Sequence, residues 1–284
     1  GNPVLATKSV LFGGIFNVFG DYFFVFTLDM GIFGAGLATA MGVCMSVFMM
    51  LTHFRSSINT MRFVPVARLP EMFGKIAANG FSSFIIDIAM GVLTMLFNRQ
   101  IMRCLGSDAL AVYAVIVNIS TFVQCCAYGV GQAAQPIISQ NYGAGRSDRV
   151  SQLLRYCLIS CAVIGAAWTA AVIALPNGFI KLFMSPTAAV LAIAPEIMRI
   201  YAVSFLLLPY NVFSTYYFQA MLRPGTSVII SVSRGIVISG ALIMLLPLLL
   251  GSNSVWFAMP IAEAATAVYV TASIAQVQKA FQKP

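Results

Sequence analysis

Apolar runs of helix length alternate with short polar stretches along this chain, and eight runs are long enough to cross a bilayer: residues 4–28, 33–54, 76–98, 109–139, 150–175, 193–222, 226–250 and 255–277. An α-helix rises about 1.5 Å per residue, so about 20 apolar residues cross a hydrocarbon core of roughly 30 Å. The pattern therefore predicts an all-α, polytopic transmembrane helix bundle of about eight helices.

Polar positions inside those runs recur at helical spacing. Asn17 and Asp21 stand four residues apart in the first run and so share one helix face. An ionised carboxylate in mid-bilayer costs on the order of 2.5–3.5 kcal/mol, so this face is expected to meet protein or a water cavity. An interhelical hydrogen bond is the structural alternative. In the third run Asn79, Ser83, Asp87, Thr94 and Asn98 form one face. In the fourth, Asn118, Thr121, Cys125, Tyr128, Gln132, Gln135 and Ser139 follow an alternating three- and four-residue spacing. Faces this polar are expected to line water or a solute path, with polar contacts between helices as the alternative. The sixth run adds Tyr201, Ser204, Tyr210, Asn211, Thr215, Tyr216, Tyr217 and Gln219 around Pro209, a mid-run proline expected to kink the helix. Aromatic rings there could hold lipophilic cations through their faces. Glu263 in the last run, with Thr266 and Ser273 nearly on its face, must find protein or water, and Arg234 of the seventh run is its candidate partner.

Composition agrees with the pattern: 60% of residues are hydrophobic, 8% are charged, and the mean hydropathy is +0.91. The net charge of +8 falls between the apolar runs and not along one face, which argues against nucleic-acid binding. It reports topology instead. Lys8, Arg55, Arg62, Arg68, Lys75, Arg146, Arg149, Arg155, Arg223, Lys279 and Lys283 fall on one side; Arg99, Arg103, Lys181 and Arg199 fall on the other, and Arg234 lies within a run. By the positive-inside bias both termini are expected in the cytoplasm. The six Cys lack C-x-x-C spacing and are expected to be small core residues rather than metal ligands or disulfides. The lone His53 sits at a helix end, and no Ser/His/Asp or metal-spaced set suggests an enzyme. The turn Asn141–Arg149 has two Gly and basic residues but not the Lys-Ser/Thr of a phosphate-binding loop.

The polar segment 55–75 predicts a cytoplasmic loop between a two-helix region, 1–54, and a six-helix region, 76–284. A weak repeat supports the division: Pro3 and Pro224 each open a run that ends at a turn glycine, Gly31 and Gly251. Asp21 would then correspond to Leu242, so only one copy holds the acid. No charged leader precedes the first run, and the chain opens at Gly1-Asn2-Pro3 without an initiator Met, so sequence upstream is expected.

The opening Gly1-Asn2-Pro3, the Asn17-x-x-x-Asp21-Tyr22 and Gly31-x-x-Gly34-Ala35-x-x-Ala38-Thr39 segments, and the block Gly131-x-x-x-Gln135-Pro136-x-x-Ser139-x-Asn141-Tyr142-Gly143-Ala144-Gly145 together resemble the multidrug and toxic compound extrusion (MATE) family. The resemblance implies an inverted-V transporter of two six-helix lobes, of which this chain would hold helices five to twelve, including one complete lobe. The four preceding helices would come from upstream or from another chain. It further implies secondary active efflux, with H⁺ or Na⁺ exchanged for organic cationic or amphipathic solutes and no other cofactor. Asp21 and Asn17 match fifth-helix residues that couple the ion in the prokaryotic branch; their first-helix Asp partner has no counterpart here. Asp87, Ser83, Asn118, Tyr128, Gln132, Gln135, Asn211, Tyr210 and Glu263 are the candidate substrate-cavity residues. A lipid or lipid-linked oligosaccharide flippase of the same superfamily, or a non-transporting membrane scaffold, are the alternatives. A flippase would be expected to present a strongly cationic cavity, whereas Arg234 is the lone basic residue well inside a run.

Overall fold

The computed structural model describes residues 2–59, 62 and 69–281, without the side chains at 3, 69, 71, 75–87, 89 and 90. Every regular element among the described residues is helical. The chain divides into two compact units, Gly1–Leu69 and Pro70–Pro284.

In the first unit α1 (Pro3–Asp21) starts with Pro at its first turn and an Asn2 side chain that accepts from the Leu5 amide at 3.1 Å, which together satisfy an exposed helix end. It continues directly into a wide π-helical turn, Tyr22–Thr27. The chain then reverses through Asp29 and Gly31, at φ 47° and 54°, and enters α2 (Gly31–Leu51). Small residues let the two helices approach. A Cβ on Gly13 would lie 1.8 Å from Ser46 Oγ and 2.5 Å from the Gly42 carbonyl, and Ser46 Oγ donates to the Ser9 carbonyl at 3.0 Å. With no hydrophobic drive between helices in lipid, this closeness supplies dispersion contacts and polar bonds.

The second unit contains α3 (Leu69–Cys104), α4 (Ser107–Gly143), α5 (Ser147–Ala174), α6 (Pro176–Phe183), α7 (Ala188–Ala202), α8 (Ser204–Ala220), α9 (Pro224–Val232), α10 (Ile238–Leu250) and α11 (Ala258–Phe281). A π turn, Ser233–Val237, joins α9 to α10, so 224–250 is one continuous rod. Seven helical stretches are long and apolar enough to cross a membrane among the described residues. The 36-residue α3 is a further long helix. α8 is the axis of the unit: α4, α5, α7, α9 and α11 all pack on it, and Phe205, Phe213, Tyr217 and Phe218 are fully enclosed. Gly165 permits the α5 contact, since a Cβ there would sit 2.7 Å from the Leu206 carbonyl.

Two expectations are corrected and one element is added. The sixth run, 193–222, is two helices broken at Val203, and Pro209 lies inside the continuous α8. A proline loads the turn before it, and that distortion appears upstream, where Ser204 Oγ donates to the Tyr201 carbonyl at 2.7 Å. The connection after 175 holds the short helix α6, whose Ile180 is buried while Leu182 is exposed; eight residues are too few to register as a run. The cysteines are only partly core residues: Cys157 and Cys161 are buried, but Cys44, Cys125 and Cys126 are exposed on outward helix faces. Gly143 ends α4 and Gly145, just past it, completes the helix stop. Gly145 takes φ 69°, and the Gly145 and Arg146 amides donate to the Tyr142 and Asn141 carbonyls at 3.0 and 2.9 Å, so neither amide is left to cradle an anion. α1 and α9 both begin with Pro, as the repeat predicts, but the π turn follows Asp21 in one and comes before the residue matching Asp21 in the other.

Candidate functional site

In the first unit, Asp21 is the last residue of α1, where the ladder widens into the π turn. Wide turns of this kind recur at functional sites because they re-aim side chains and free carbonyls. Asn17 lies one helical turn earlier. Its Nδ2 donates across to Thr39 Oγ1 on α2 at 3.3 Å, and Thr39 donates to its own Ala35 carbonyl at 3.0 Å. Asp21 takes no part in this chain of bonds. Its Oδ1 is buried without a hydrogen-bond partner among the described residues. A buried carboxylate oxygen without a donor loses hydration without compensation.

The second unit treats its acid differently. Glu263 on α11 is 0% exposed, as is Asn211 on α8; the Arg234 side chain, 14% exposed, reaches in from the π turn. Arg234 Nε donates to Glu263 Oε1 at 2.6 Å, and Asn211 Nδ2 donates to Glu263 Oε2 at 2.6 Å and to the Glu263 carbonyl at 2.9 Å. Both carboxylate oxygens are thus filled and the charge is neutralised. The Ser239 hydroxyl donates to the Arg234 carbonyl, which anchors the widened turn that carries the guanidinium. Beside this pair lies a cavity of about 50 Å³, bordered by Arg234 and by polar side chains of Thr94, Ser120, Thr121, Gln124, Tyr113 and Tyr201. At 10–15 Å³ per water centre, that is room for about four waters.

The remaining predicted residues do not converge on one space. Tyr128 donates its hydroxyl to Gln124 Oε1 at 3.1 Å and packs edge-on against Tyr216 at 6.0 Å, next to the cavity. Asn118 is exposed and bonds its own Ala114 carbonyl at 3.0 Å; Gln132 is exposed and Gln135 half-buried farther along α4. Tyr210 pairs with Thr271 at 2.8 Å in an open, mainly apolar groove between α5, α8 and α11. Asn79, Ser83 and Asp87 have side chains outside the described residues. Sequence reasoning missed Tyr113, Ser120 and Gln124. Thr121, Gln124 and Tyr128 follow the same three–four spacing as the predicted stripe, so Gln124 was within reach of the pattern had Cys125 not been counted in its place. No group of three or more His, Cys, Asp or Glu among the described residues could hold a metal ion.

Comparison with known proteins follows the same lines. The MatE family model matches residues 82–245. The multidrug export protein MepA of Staphylococcus saprophyticus is 26% identical over 258 residues, covering 90% of this chain and 56% of that protein. MepA of Staphylococcus haemolyticus is 24% identical with the same coverage. This chain thus spans little more than half the length of these relatives. Among solved structures, the outward-facing conformation of a multidrug resistance MATE family transporter of the MOP superfamily superposes with a TM-score of 0.86 at 20% identity, over 98% of this chain and 63% of the other. A MOP superfamily transporter from Pyrococcus furiosus, described as having a binding pocket of reverse polarity that suggests a different function, gives 0.84 at 18% identity and the same coverage.

Proposed function

The chain belongs to the MatE family, a family of membrane transporters and not of enzymes, and on that premise we propose that it works in a multidrug-type exporter that exchanges H⁺ or Na⁺ for organic cationic or amphipathic solutes. The single observation that carries this reading is the buried, unpartnered Oδ1 of Asp21 at the mouth of a π turn. Such an oxygen gains a partner when a proton or Na⁺ arrives, and Asn17 and Thr39 lie one turn away and across from it to set the local polarity. Antiport follows if ion and solute favour opposite conformations, each by its differential affinity.

In this reading 1–54 is the end of a first lobe, 55–75 the loop between lobes and 76–284 the second lobe, with the rest of the first lobe supplied from beyond these residues or by another chain. Both termini face the cytoplasm of a prokaryotic inner membrane. Asn118, Tyr128, Gln132, Gln135, Tyr210, Asn211 and Glu263, with Ser83 and Asp87, are the proposed contacts along the solute path. The flippase reading has less support, since Arg234 is neutralised by Glu263 and leaves no net positive charge of the pair for a pyrophosphate. The test is Asp21→Asn in the complete transporter, measuring dye efflux and membrane abundance together. Efflux should be lost while abundance stays at the wild-type level. Undiminished efflux from a normally inserted variant would overturn the proposal.

A further inference from the structure

The pair Arg234–Glu263 is more than a bond between two helices. A carboxylate at 0% exposure is where a cation binds, and here the cation is part of the chain. Arg234 engages through Nε alone, at 2.6 Å, although a guanidinium can offer two parallel N–H groups to a carboxylate. Arg234 also borders the cavity of about 50 Å³, which Glu263 and Asn211 do not line. Asn211 holds the other carboxylate oxygen through Nδ2, while its Oδ1 is buried with no donor among the described residues. A carboxylate and a free amide oxygen side by side match the N–H groups of a planar, hydrogen-bonding cation.

We propose that Glu263 and Asn211 form a cation site that the chain fills with its own guanidinium, and that the external ligand it accepts once Arg234 is removed is an amidinium or guanidinium cation, not an alkali metal ion. Arg234 is then a specificity-determining residue: while it is in place it keeps external cations from Glu263, and only a cation that replaces its N–H donors can stand in for it once it is removed. This concerns the second unit alone and does not depend on whether the chain exports solutes.

The experiment follows thermal unfolding of the purified chain in lipid nanodiscs, with millimolar guanidinium or acetamidinium against Na⁺ and tetramethylammonium at equal ionic strength. Wild-type protein should respond to none of them specifically. Arg234→Ala should lower the midpoint by on the order of 10 °C. Guanidinium and acetamidinium should recover most of that loss, Na⁺ and tetramethylammonium none of it, and Arg234→Ala with Glu263→Gln should not respond. If Arg234→Ala is obtained folded only when acetamidinium is present during purification, that also supports the site. A folded Arg234→Ala protein that ignores both planar cations, or that Na⁺ rescues equally well, overturns it. So does an Arg234→Ala protein that no cation recovers while the double variant folds normally.

Discussion

Asp21 of the first unit and Glu263 of the second are acids inside apolar helices, and they are handled in opposite ways. Glu263 has each carboxylate oxygen held at 2.6 Å, one by a guanidinium and one by an amide. Asp21 has one oxygen buried with no partner among the described residues, although Asn17, one turn away, has a side-chain amide that bonds Thr39 instead. A carboxylate that carries its own counter-charge ties helices together. One that lacks it keeps an oxygen without a donor among the described residues. Both sit beside π turns, so wide turns alone do not separate the two cases. What separates them is the charge brought in from a neighbouring helix.

The largest expected effect comes from breaking the satisfied acid. Glu263→Leu leaves Arg234 buried and unpaired and should cost about 3–5 kcal/mol in denaturant unfolding, whereas adding Arg234→Met should recover most of that loss. A double variant no more stable than the single one would show that the pair is not the reason for the loss. Next in size is the helix contact that supports the other acid. Gly13→Leu cannot be accommodated against the Gly42 carbonyl and Ser46, and should cost about 1–3 kcal/mol, read as earlier protease cleavage in the 53–75 segment. Unchanged protection would mean α1 and α2 part without consequence. The smallest is Thr39→Val, which removes the acceptor of Asn17 and should cost about 0.6 kcal/mol. A loss several times larger would place Asn17 in the same cooperative network as Asp21.

How legible each acid was in the sequence differs in the same way. The four-residue step from Asn17 to Asp21 put both on one helix face by geometry alone, but nothing in that step disclosed that Asn17 bonds across to Thr39. Glu263 and Arg234 stood out as charges inside apolar runs, and the cost of leaving them apart suggested their pairing. Asn211 as the third member was not visible, since an Asn among many polar residues of an aromatic run carries no sign of which helix it faces. Tyr210, its chain neighbour, points into a different groove, because adjacent residues on a helix are about 100° apart.

The sequence by itself determined the helical class, the turn glycines and the residues whose charge needed an explanation. Those follow from local rules: a run of apolar residues in lipid must satisfy its own backbone, and a helix is the way a single segment does so. The tertiary structure decided which acid is matched and which is left open, where the sixth run breaks, and that Gln124, Ser120 and Tyr113 border the cavity while Asn118 does not. The physical reason is that period and hydropathy assign a residue to a face of its own helix, whereas charge pairing, cavity lining and close packing depend on which other helix meets that face.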